Sequence, residues 1–146
     1  MVLEAQIAAL SVLLIAVLFD LRRRIIPDWA SLALAGLFLL VNVAGGRWQM
    51  LGSGVLAAGL LFAAGAVAFA RGWLGGGDVK LMSALGCWAG LGGLCDFVVL
   101  TSLAGGVLSL AYIARAMVKR IPLRQVALPY GVAIALGGLP QLLTAH

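Results

Sequence analysis

Five carboxylates occur in this chain, at Glu4, Asp20, Asp28, Asp78 and Asp96, and two of them sit where chemistry is expected. Asp20 follows the apolar stretch of residues 3–19 and precedes Arg22, Arg23 and Arg24. Asp78 follows Gly75, Gly76 and Gly77 and precedes the apolar stretch of residues 79–95. Two acids held close in a poorly solvated site cannot both ionise cheaply. They share one proton and titrate as a unit. The ionised member takes a proton from water, and the protonated member donates a hydrogen bond to a peptide carbonyl. That is the chemistry of an aspartic protease. Each acid also has a plain structural reading. Asp20 can pair with a neighbouring arginine, and Asp78 can cap a helix N-terminus.

Other chemistries lack their residues. The one histidine is His146, the last residue, so a histidine-based metal site is not expected and no HExxH motif exists. Ser53 lies between two glycines, but no histidine base falls in any apolar stretch. Cys87 and Cys95 form no CxxC pair and read as inert thiols. No cofactor is implied.

The elements that must position the two acids are membrane helices. Of 146 residues, 64% are hydrophobic and 10% charged, too little charge to cover a soluble surface of this size. The apolar stretches place spans at 3–19, 29–45, 49–70, 79–95, 97–117 and 125–144. The expected fold is all-α: one polytopic membrane bundle of about six helices forming a single domain, 1–146. Gly86 and Gly90 form a GxxxG and Gly131 with Ala135 a second small pair, suited to close helix packing. Trp29, Trp48 and Trp73 fall near span ends, and Trp88 falls inside one. The N-terminus lacks the basic region of a cleavable signal peptide.

Six spans put the ends of the first and fourth on one face, so Asp20 and Asp78 can meet. That face also holds Arg22, Arg23, Arg24, Arg71, Lys80, Arg115, Lys119, Arg120 and Arg124, whereas the other holds only Arg47. Basic residues favour the cytosol. The acids are therefore expected at the cytosolic face and both termini outside. The net charge of +5 is this topological signal and implies no nucleic acid. Glu4 and Asp96 fall on the outer side and read as solvated caps.

At these residues the chain resembles the type IV prepilin peptidases, aspartic proteases of the GxGD class. The resemblance rests on Asp20 followed by the arginines and Ile26-Pro27, on Gly75-Gly76-Gly77-Asp78-Val79-Lys80, and on Leu128-Pro129-Tyr130-Gly131, in the family's order. It implies that Asp20 and Asp78 are the catalytic pair of a hydrolase in a bacterial inner membrane. It implies cleavage of the short basic leader of prepilin or pseudopilin substrates, with the lipid bilayer and the pilus assembly machinery as surroundings. The family's larger members carry a cytosolic insertion with paired cysteines, associated with N-methylation; this sequence matches the short, peptidase-only form of tight-adherence (Flp) pilus systems. Asp28 stands where the family commonly has asparagine. It faces solvent, caps the second span, or adds a third charge near the pair. Lys80 snorkels to the interface or meets an acidic group of the substrate. The alternative function is a small transporter or channel subunit with Asp20 and Asp78 as a proton or cation relay. Acids at a membrane edge rather than at its midplane fit that poorly.

Overall fold

The computed structural model describes residues 2–120 and 130–144. They form five helices and, among the described residues, no strand: α1 (Val2–Arg23), α2 (Asp28–Ala44), α3 (Trp48–Ala70), α4 (Gly76–Val118) and α5 (Tyr130–Thr144). By length and composition α1, α3 and α4 can cross a membrane, and α2 and α5 are shorter apolar helices. Large apolar side chains such as Leu14, Leu40, Leu60 and Leu110 face outward, as a lipid-facing surface requires.

Five helices stand where six spans were expected because α4 carries two of them. Its 43 residues contain one non-helical residue, Gly90, at φ 60° and ψ −175°. That conformation is open in practice only to glycine. The Leu91 N–H freed by the break donates to Ser53 Oγ at 2.8 Å. Ser53 is thus a structural acceptor, which accounts for a polar residue in a span. The expected break near Asp96 is displaced to Gly90, and Asp96 lies exposed inside the second half of the helix rather than at a helix end.

The chain reverses across this break. Ile26 abuts both Gly77 and Gly131, and Leu85 abuts Gly138, so the first half of α4 runs in the same sense as α5. In the second half, Gly93 meets Gln141, Thr101 meets Gly137 and Gly105 meets Ala133, in the opposite sense. The break thus divides α4 into two oppositely directed halves.

Small residues set the helix spacing. Gly86 lies where a methyl group would meet Leu61 at 2.5 Å, and Gly65 where one would meet Val79 at 2.8 Å. Gly54 admits both the Phe38 ring and the Cys87 carbonyl oxygen. Such contacts bring α3 against the first half of α4. Trp88 is buried there, stacked edge-on against Phe38 at 5.7 Å, and its Nε1–H donates to the Leu34 carbonyl at 3.0 Å. Trp29, Trp48 and Trp73 are exposed at helix ends, in the positions expected of an aromatic belt.

The last expected span, 125–144, is described from Tyr130 onward, so Pro129 and the rest of residues 121–129 lie outside the described residues. Pro140 sits within α5, tolerated there because neighbouring groups can satisfy the freed carbonyl.

Candidate active site

Asp20 does not close the first helix as the sequence suggested. α1 continues one further turn, to Arg23, and Arg24 ends it in the left-handed conformation at φ 53°, its N–H donating to the Asp20 carbonyl at 2.8 Å. Ala9, Leu13, Ala16 and Asp20 form the buried stripe of α1, so helical periodicity carries the carboxylate into the bundle. Asp20 is only 5% exposed.

The carboxylate lies at the start of α5, against the amides of Gly131 and Val132. A helix N-terminus is a favourable place for an anion. Gly131 permits the approach: a methyl group there would stand 2.6 Å from Asp20 Oδ2. Oδ2 is nonetheless buried without a hydrogen-bond partner. The reading of Asp20 as an arginine-paired surface acid fails. Among the described residues no arginine forms an ion pair with it; Arg23 lies over the Phe19 ring, and only Arg24 bears on it electrostatically.

Asp78 sits in the first turn of α4. Gly75 is the N-cap, and Asp78 reaches back to accept its N–H at 3.2 Å. Asp78 therefore fills the carboxylate half of a capping box instead of being the cap itself. The glycine run is mostly part of the helix. Gly76 and Gly77 are already helical, and none of Gly75, Gly76 and Gly77 has positive φ; the positive φ lies upstream at Gly72. Their smoothness matters instead. A methyl group on Gly75 would stand 2.9 Å from Asp78 Oδ2, and one on Gly77 would stand 3.2 Å from Ile26 Cβ. Gly76 has only ordinary contact with Phe69.

The charge of Asp20 bears on Asp78, and Ile26 lies between the elements that carry them. Ile26 is buried, with its Cβ against Gly77 and its Cδ1 3.1 Å from the methyl position of Gly131. Pro27 is the N-cap residue of α2, itself in extended backbone at φ −70° and ψ 133°. Asp20, Ile26, Pro27, Gly75, Gly77, Asp78 and Gly131 thus form one cluster, built from the ends of α1, α4 and α5.

Asp28 faces solvent, one of the readings its position allowed, and Lys80 pairs with it at 2.8 Å, both side chains about half exposed or more. The N-cap of α2 is Pro27 rather than Asp28. Opposite charges in two separate motifs on one predicted face were the available signal for this pair. Gly131 is the other residue whose importance exceeded its sequence signal. It stood in the third motif, but nothing in the sequence set it against Asp20. Among the described residues no group of His, Cys, Asp and Glu could hold a metal ion.

Fold and site define an all-α, membrane-type helical bundle with Asp20 and Asp78 among the residues at one end. A model of the type IV leader peptidase family matches residues 7–110. The chain belongs to that family. It is 32% identical over 145 residues to the prepilin leader peptidase/N-methyltransferase of Pectobacterium carotovorum subsp. carotovorum, an alignment covering 95% of this chain and 50% of that protein. It is 32% identical over 131 residues to the protein of the same name from Xanthomonas campestris pv. campestris, covering 82% of this chain and 42% of that one. The chain thus spans about half the length of these curated relatives. No solved structure matches it.

Proposed function

We propose that this chain is a membrane-embedded aspartic endopeptidase that removes the short basic leader of prepilin-like proteins at the cytosolic membrane face. Its 146 residues would act as a single transmembrane peptidase domain. The observation that carries the reading is the buried carboxylate of Asp20, one oxygen of it without a partner, with Asp78 near enough to feel its charge. A buried oxygen of that kind is costly unless a ligand or water engages it.

In this mechanism the pair carries one proton. The ionised carboxylate takes a proton from water as the water oxygen bonds to the scissile carbonyl carbon. The protonated carboxylate gives its proton to the carbonyl oxygen. The C–N bond then breaks: the departing nitrogen receives a proton from one carboxylate of the pair, a hydroxyl of the tetrahedral intermediate gives its proton to the other as the product carboxyl group forms, and the pair is again singly protonated.

Orientation follows from the basic residues. Arg22, Arg23, Arg24 and Arg71 are exposed near the acids, as the cytosolic side of an inner-membrane protein favours. The curated relatives' names include an N-methyltransferase; the present reading assigns this chain the cleavage step. The test is cleavage of a leader-bearing prepilin by the purified chain in lipid, against Asp20→Asn and Asp78→Asn. Loss of cleavage in both, with helicity retained, supports the pair. Activity surviving in either overturns it.

A further inference from the structure

The Asp28–Lys80 pair stands at the mouth of a groove that the peptidase reading does not use. The groove has a volume of about 300 Å³ and lies between α2, α3 and the first half of α4. α2 lines it with Asp28, Ser31 and Ala35, and α4 with Lys80, Ser83 and Cys87. These positions recur at helical spacing, so each helix presents one face. The two helices run in the same sense. Asp28 meets Lys80 at one end, and further along the Leu34 carbonyl accepts the Trp88 Nε1–H. The groove is therefore a ladder: a charged rung at the end that carries Asp20 and Asp78, hydroxyls one turn deeper, then small apolar residues. From Asp28 to Ala35 it runs about 10 Å.

Its rim joins the outward apolar surface, with Leu32 and Phe62 72% and 53% exposed. Ser83 donates to the Val79 carbonyl at 2.8 Å. The Ser31 hydroxyl, at the same depth, is buried without a hydrogen-bond partner among the described residues. A buried hydroxyl in that state calls for an acceptor. The charged rung is loose by comparison, since an exposed ion pair is weak. It opens readily to a ligand that offers both charges.

The occupant must bring two opposite charges to the mouth, an acceptor one turn deeper and an apolar tail. A membrane helix does not fit, because 10 Å of helix fills roughly 800 Å³, more than twice the groove. An acyl chain is thin enough, and the ester carbonyl above it is an acceptor. A purely anionic headgroup would set its phosphate against Asp28 as well as Lys80. A choline headgroup has no N–H to donate. Ethanolamine offers its ammonium to Asp28 and its phosphate to Lys80.

We propose that this groove binds a phosphatidylethanolamine lipid, its phosphate on Lys80, its ammonium on Asp28, an ester carbonyl at Ser31 and one acyl chain along Ala35, Ala58 and Phe62. Arginines elsewhere on that face attract anionic lipid without selecting it. Here an acid beside a base selects a zwitterion.

The test uses the full chain in detergent and a phosphatidylethanolamine carrying a diazirine on one acyl chain. Photolabelling around Ala35 and Phe62 is read by mass spectrometry while unlabelled lipids with the same chains compete. Phosphatidylethanolamine is expected to compete about tenfold better than phosphatidylcholine or phosphatidylglycerol, the worth of one charge-assisted hydrogen bond. Asp28→Asn removes the repulsion, so phosphatidylglycerol should then compete as well as phosphatidylethanolamine. Lys80→Met should lower the labelling itself. Ala35→Trp fills the groove and should abolish it, whereas Leu60→Trp, exposed and off the groove, should not. Equal competition by the three lipids, a preference for phosphatidylglycerol in the unaltered chain, or an order unchanged by Asp28→Asn and Lys80→Met overturns the proposal, whether or not Ala35→Trp folds. So does loss of label on adding a prepilin or on raising the concentration of the chain itself, which would give the groove to the substrate or to a second copy.

Discussion

Gly131 and Asp20, 111 positions apart in sequence, are in contact, with the methyl position of Gly131 2.6 Å from Asp20 Oδ2 and 2.9 Å from its Cγ. The absence of one side chain on α5 is what lets the carboxylate of α1 reach the amide end of that helix. Gly131→Ala must push the carboxylate aside, and Ile26 Cδ1 blocks relief from the other direction. Overpacking of this kind costs about 1–3 kcal/mol. The expected outcome is a thermal midpoint lowered modestly and cleavage reduced at least ~10-fold, which is about 1.4 kcal/mol of transition-state stabilisation. Unfolding and cleavage measured on the same preparation check this.

Asp78 accepts the Gly75 N–H at the start of α4, and substitution can separate that contact from the catalytic role proposed for it. Asp78→Asn keeps an oxygen that can accept the Gly75 N–H, so the start of α4 should hold while cleavage is lost. Asp78→Ala removes the acceptor as well, at a cost typical of a lost helix cap, about 0.5–2 kcal/mol. The prediction is two inactive proteins of unequal stability, the alanine variant the weaker. Equal melting of both would refute the capping contribution.

The break in α4 depends on Gly90 and Ser53. Gly90→Ala places a side chain at φ 60°, where it is strained whatever the space, and within 3.0 Å of Ser53 Oγ. A cost of about 1–3 kcal/mol is expected. Ser53→Ala leaves the Leu91 N–H without its acceptor, for about 1 kcal/mol. The two should be less than additive in a double mutant, because the residues touch. Chemical denaturation of the four proteins tests the coupling.

The Asp28–Lys80 pair should matter little to stability. Exposed ion pairs contribute about 0–1 kcal/mol. Asp28→Asn and Lys80→Met are each expected to shift the unfolding midpoint marginally, and the difference should shrink further in high salt. A large, salt-resistant loss in either variant would show that the pair is braced by contacts other than charge.

The class of fold was legible in the sequence because lipid imposes length and apolarity on every span, and both survive in a linear reading. The positions of Trp88 inside and of Trp29, Trp48 and Trp73 at the ends followed from the same constraint. The placement of the Asp20 carboxylate was half legible. Its spacing from Ala9, Leu13 and Ala16 marks a buried face, but the direct reading put the helix end at Asp20 itself. Helix ends are set by local capping, here by Arg24 in a left-handed conformation that arginine seldom adopts.

From the sequence alone come the membrane bundle, the two acids on one predicted face and the family motifs around them. Tertiary structure decided the rest: the reversal of α4 at a single glycine, the seating of Asp20 on α5 across Gly131, the wedge of Ile26 between the two acid-bearing elements, and the Asp28–Lys80 pair. Those are contacts between residues far apart in the chain. Periodicity reports which way a side chain points from its own helix, but not which helix it finds there.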